Sequence, residues 1–269
     1  SGSEIHKEHG NADILMGRVL EEIMNHTPFG ITALQGGLKD NAIPRDCNAA
    51  LLIPDENRKI VEELLMKLQE TLSRELVQAD PGFKINYSFG NRTEANITDY
   101  ASTNRIVFYL RTIPHGVQHM SQVIPNLVET SLNIGIMNLE DECLHTLTSV
   151  RSSVSSRKTD LKNRVCNIVE MLGGDYEVEG DYPAWEYKMD SAIREPIGTI
   201  YKELTGNEPE FTAIHAGLEC GLFSEKLPGL DCVSFGPANF DIHTPKERLS
   251  ISSTARYYQL VCEFLKRSK

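Results

Sequence analysis

"ITALQGGLKDNAIPRDCNAALLI", residues 31–53, reads as two strands separated by a connection that holds two glycines and a proline. Before it, "NADILMGRVLEEIM" (11–24) places apolar side chains at helical spacing. After it, "PDENRKIVEELLMKLQETLSREL" (54–76) opens with proline and acidic residues, as helix starts do, and carries an apolar stripe through Ile60, Leu64, Leu68 and Leu72. "GFKINYSF" (82–89) then alternates like a strand. The order is helix, strand, strand, helix, strand.

The same order returns about a hundred residues later. "GVQHMSQVIPNLVETS" (116–131) is expected as a helix, "LNIGIMNLE" and "CLHTLTSVRSS" as strands, "SRKTDLKNRVCNIVEMLG" as a helix and "DYEVEGDY" as a last strand. The repeat lies in the order of elements and hardly at all in residue identity. It predicts a duplicated α-β-β-α-β unit with helices layered on antiparallel sheet.

After residue 187 the character changes. "DSAIREPIGTIYKELTG" is expected as a helix ending at glycine, "FTAI" as a strand, "HAGLECGLF" as a turn into a helix, "DCVSFGP" as a strand and "SSTARYYQLVCEFLKRSK" as a final helix. Such alternation suits part of an α/β sheet, yet about eighty residues are few for a whole one. Strands supplied from elsewhere are expected.

With 269 residues and 40% apolar content, the chain can bury a sizeable core. Its net charge of -11 argues against a broad basic surface for nucleic acid or anionic lipid. Small molecules or proteins are the expected partners. No apolar run has the length of a membrane span, and "SGSEIHKEHG" has none of the features of a signal peptide, so a cytoplasmic protein is expected. The six cysteines make no CxxC pair and are expected to be mostly buried thiols.

Several residues have chemistry to offer. His215 and Glu219 would share one helical face, either as a surface pair or as part of a helix-start anion site. His243 lies in a loop between a strand and the last helix, a place for a metal ligand or an acid–base group. His6/His9 and His115/His119 have metal-compatible spacing but no third ligand nearby in sequence. Arg151, at the end of a strand, is either solvated or a bidentate partner for a carboxylate. Asn41 would ordinarily belong to a tight turn.

The segments "EIHKEHGNA", "GGLKDNAIPR", "SVRSS", "AIHAGLECGLFSEKLPGLDCVSFGP" and "IHTPKERLSI", in this order, resemble the aminoacyl-histidine dipeptidases, carnosinase-like members of the two-zinc exopeptidase and aminoacylase group. The resemblance implies a lid domain over residues 1–187 and, over 188–269, the closing segment of a catalytic domain, with homodimerisation through the lid. It implies that His243 is the last zinc ligand and that His6 is the lid histidine that stabilises the oxyanion. Asn41 would contact substrate, while Arg151 and the backbone at Gly217 would hold the substrate's terminal carboxylate. The family's other zinc ligands, from an H-x-D motif, a glutamate pair and an aspartate, have no counterpart here; Glu21-Glu22 and Glu62-Glu63 fall inside expected lid helices.

The resemblance thus predicts part of a zinc dipeptidase for Xaa-His or similar dipeptides, inactive by itself. The alternatives are a non-catalytic lid fragment that dimerises or binds peptides weakly, and an acylase or deacylase of the same group.

Overall fold

A computed structural model describes residues 2–91, 96–140, 142–213, 219–242 and 245–268, with only the backbone for 2–4. The chain divides into two compact units, Ser1–Glu179 and Gly180–Lys269.

The first unit opens with a 3-10 segment, Gly2–Lys7, followed by α1 (Ala12–Met24), β1 (Gly30–Gly37), β2 (Cys47–Leu52) and α2 (Arg58–Glu75). It continues with α3 (Tyr100–Thr112), β3 (Gly116–Met120), β4 (Val128–Glu140), β5 (Cys143–Ser152) and α4 (Ser155–Met171). The fold is mixed α/β, with all five strands in one antiparallel sheet.

The long strand β4 organises that sheet. β5 runs beside it from Thr130 to Glu140. β3 pairs with Val128–Leu132 and β1 with Ile136–Asn138, so these two strands share the remaining edge end to end. Neither pairs with residues 133–135. The N-cap of α1 fills this interruption: the Asn11 Nδ2 donates to the Ile134 carbonyl at 2.8 Å.

Leu132 and Ile134 of β4 are fully buried, and Ile134 packs with Leu20 of α1, Ile106 and Leu110 of α3 and Leu34 of β1. One face of the sheet therefore carries the helices. Because side chains alternate along a strand, Ser131 and Asn133 turn to the other face, as do their β5 partners Arg151 and Ser149. A smaller cluster of Ile23, Val61 and Leu65 joins α1 to α2. Ile60 is left exposed, and the buried stripe of α2 runs through Val61, Leu64, Leu65, Leu68 and Leu72 instead.

The elements differ from the sequence expectation in several places. Residues 116–131 are not a helix; they hold β3 and the beginning of β4. The helix is α3, which the Asp99 side chain caps by accepting from Ser102 N. The α-β-β-α order is therefore kept, with one extra strand in the second half. "GFKINYSF" and "DYEVEGDY" are not strands. Residues 83–85 are held instead by one side chain, Gln69, which donates to the Phe83 carbonyl and accepts from Ile85 N. Alternation makes a strand only where a neighbour offers its backbone.

In the second unit, α5 (Arg194–Thr205) ends on Gly206 as expected, followed by α6 (Glu219–Lys226), the two-residue strands β6 (Asn239–Phe240) and β7 (Arg248–Leu249), and α7 (Ile251–Arg267). Asp231 accepts from Ser191 Oγ and Ile193 N at the start of α5. The described parts of "FTAI" and all of "DCVSFGP" form no strand. Among the described residues no helix is long and apolar enough to cross a membrane. All six thiols are free, but only Cys166 is buried, which corrects the expectation of mostly buried cysteines. Several lie near element ends, where burial is partial.

Candidate functional site

The connection between β1 and β2 bends back over the sheet. Gly37, at φ +73°, turns the chain out of β1. The carbonyls of Lys39 and Asp40 then pass so close to Gly135 that a Cβ there would lie 2.5 and 2.4 Å from them. Glycine at 135 is thus a condition for the connection to lie on β4. The last part of the connection is fastened by Ala12 N donating to the Pro44 carbonyl at 3.1 Å.

This arrangement makes a recess on the face opposite the helices. Its floor is Ser131 and Asn133 of β4 with Ser149 and Arg151 of β5; its wall is Asp40, Asn41 and Ile43; and Ile5 of the 3-10 segment closes one side. It is small and partly open to solvent, with a cavity volume of about 10 Å³, room for about one water molecule. Asn41 and Arg151, 110 positions apart in sequence, therefore meet at one site. Arg151 is half-buried, directly across from Ser131 in the β4–β5 ladder. A guanidinium on such a floor, beside a carboxamide, can take a planar carboxylate by two parallel N–H donors.

The other sequence candidates are placed differently. His6 is exposed on the 3-10 segment and does not line the recess, although its neighbour Ile5 does. His9 Nδ1 is 3.0 Å from Asp80 Oδ1, and Gly10 N donates to Asp80 Oδ2, so His9 helps tie the segment to the loop after α2. His115 has an interior Nδ1 without a hydrogen-bond partner, and burial pushes its imidazole down to about 4, which keeps it neutral. Glu21 accepts from Arg111 Nε at 2.7 Å, and Glu63 pairs with Lys59. Among the described residues no group of three His, Cys, Asp or Glu side chains is placed to hold a metal ion. Gly217, His215 and His243 lie outside the described residues.

Asn133, Ser131, Ser149 and Asp40 line the recess without having been singled out from sequence. One signal was available for Asn133: an asparagine amid the apolar residues of "LNIGIM" must find partners inside the fold.

The pattern of Peptidase family M20/M25/M40 matches residues 7–267, and the chain belongs to that family. It is 32% identical over 267 residues to the cytosol non-specific dipeptidase of Escherichia coli (strain K12), a match that covers 99% of this chain and 55% of that protein. The crystal structure of aminoacylhistidine dipeptidase from Vibrio alginolyticus superposes with a TM-score of 0.90 at 31% identity, over 98% of this chain and 54% of that one. The succinyl-diaminopimelate desuccinylase of Nitrosomonas europaea is 28% identical over 156 residues, 56% of this chain and 39% of that protein. The chain thus spans about half the length of the two dipeptidases.

Proposed function

We propose that the chain serves a metallodipeptidase that hydrolyses Xaa-His or similar dipeptides, with the recess at Asn41 and Arg151 receiving the free C-terminal carboxylate. The juxtaposition of these two side chains, on a chain of the M20 family, is the observation that supports this reading most. Arg151 binds the carboxylate through paired hydrogen bonds, and the Asn41 carboxamide orients the adjoining peptide group. A mid-chain peptide bond offers no such charge, so the site prefers short substrates with a free end. In the same proposal residues 1–187 act as a lid that also mediates dimerisation, residues 188–269 close the catalytic domain, Gly217 adds backbone donors and His6 serves the oxyanion.

Zinc belongs to the proposal, with His243 as one ligand. The described residues do not by themselves make up a metal centre.

The test is hydrolysis of β-alanyl-histidine, a plain Xaa-His dipeptide and an N-acylated amino acid by the full-length protein, with its metal content measured. Turnover of the dipeptides with bound zinc is the expected result. Turnover of the N-acyl amino acid alone would move the protein to the deacylase branch, towards the desuccinylase relative.

A further inference from the structure

The buried carboxamide of Asn133 joins β4 to the β1–β2 connection and to the N-cap of α1. It is 6% exposed, and both of its polar atoms are engaged inside the protein. Its Oδ1 accepts from Asn11 Nδ2 at 3.0 Å, and its Nδ2 donates to the Ala42 carbonyl at 2.9 Å. Asn11 in turn uses Oδ1 to cap α1, accepting from Asp13 N at 2.9 Å and Ile14 N at 3.2 Å. Ala42 is the residue after Asn41, and Asn11 comes four residues after the end of the segment that carries Ile5 and His6. Asn133 itself lies two places from Ser131, the ladder partner of Arg151. One side chain thus ties the Asn41 wall and the N-cap of α1 to the strand that carries the Arg151 floor.

We infer that Asn133 is a positioning residue: by holding the Ala42 carbonyl and the Asn11 carboxamide it fixes Asn41 at the distance from Arg151 that a substrate carboxylate requires. The inference rests on the dipeptidase reading of the recess. An aliphatic side chain at this position would leave the Asn11 amide and the Ala42 carbonyl without these hydrogen bonds. The interruption of the ladder at 133–135 explains why a side chain rather than a strand does the holding. Neither β1 nor β3 reaches these residues, so the height of the connection is set by Asn133 and by the close pass over Gly135.

The experiment is a double-mutant cycle between Asn133→Ala and Asn41→Ala in the full-length protein, with dipeptide kinetics and amide hydrogen exchange of residues 39–44 as readouts. Asn133→Ala is expected to lower kcat/KM by about 10-fold or more, chiefly through KM, since misplacement of a binding group by about 1 Å is that damaging. In the Asn41→Ala background the same change should have little further effect, and exchange in 39–44 should rise. Asn133→Ser leaves a polar group in place, but its hydroxyl is too short to hold both Asn11 and Ala42; it should show the same pattern with a smaller change in Tm, and it carries the cycle alone if the alanine variant does not fold. Equal losses in both backgrounds would overturn the inference, leaving Asn133 a general stabiliser, and so would unchanged KM and exchange. If Asn41→Ala and Arg151→Ala by themselves leave dipeptide kinetics unaltered, the reading of the recess fails instead, a result recognisable without any Asn133 variant.

Discussion

Asp13, in the first turn of α1, is fully buried with its carboxylate against Gly36 of β1: a Cβ built on Gly36 would lie 1.7 Å from its Oδ1. Neither oxygen meets a conventional donor, and the nearby Cys47 thiol is a weak one. Burial pushes this carboxyl up from 3.8 to about 6, with the thiol pulling slightly the other way. The folded chain therefore keeps a proton that the unfolded chain releases, so folding stability falls as pH rises from about 4 to about 6 and levels off above, by about 3 kcal/mol in all. Asp13→Asn, which does not titrate, should gain in Tm relative to the parent as pH is raised from 4 to 7. Parallel Tm curves for the two proteins would show that Asp13 titrates normally. Such a group is hard to see in sequence, because an aspartate two places after an N-cap reads as a helix-dipole partner. Only the packing of α1 on β1 shows that it is interior. Asn133 escaped for a related reason: its partners are 122 and 91 positions away, and no local pattern announces them.

At the scale of elements, the connection from Gly37 to Pro44 decides the shape of the recess. Gly135→Ala should force this connection off β4 and cost about 1–3 kcal/mol as an overpacked contact. Because Asn41 rides on it, KM for dipeptides should rise as well. A stability loss with KM unchanged would mean that Asn41 does not touch substrate. The hairpin of β1 and β2, α1, α2, α4 and α5 were legible from periodicity and punctuation because each is stabilised largely by its own apolar face. The helix expected at 116–131 was not there, although Gly116 at φ +77° and Pro125 both disfavour one. The helix that exists, α3, carried ordinary signals in Asp99 and the spacing of Thr103, Ile106, Val107 and Leu110. The alternating stretches at 82–89 and 175–182 show the opposite failure, in which a correct local pattern finds no neighbouring strand.

At the scale of the molecule, the site's chemistry was more legible than its construction. Asn41 and Arg151 could be picked out because family motifs surround them, and the structure brings them to one recess. His6, picked out in the same way, stands exposed beside it. In the second unit, Ile251, Tyr258 and Leu265 recur every seven residues along α7 and are exposed, so the apolar pattern of that helix is not used up by its own unit. The chain matches about half the length of each of two dipeptidases. The central claim is that Arg151 reads the substrate's free carboxylate. Its most direct test compares kcat/KM for an Xaa-His dipeptide and for its C-terminal amide, in the parent and in Arg151→Ala. The parent should prefer the free acid, and the variant should lose about 2–5 kcal/mol of transition-state binding for the acid, as for a lost buried charge partner, while the amide is barely affected. Equal losses on acid and amide, or unchanged kinetics on both, would contradict the account.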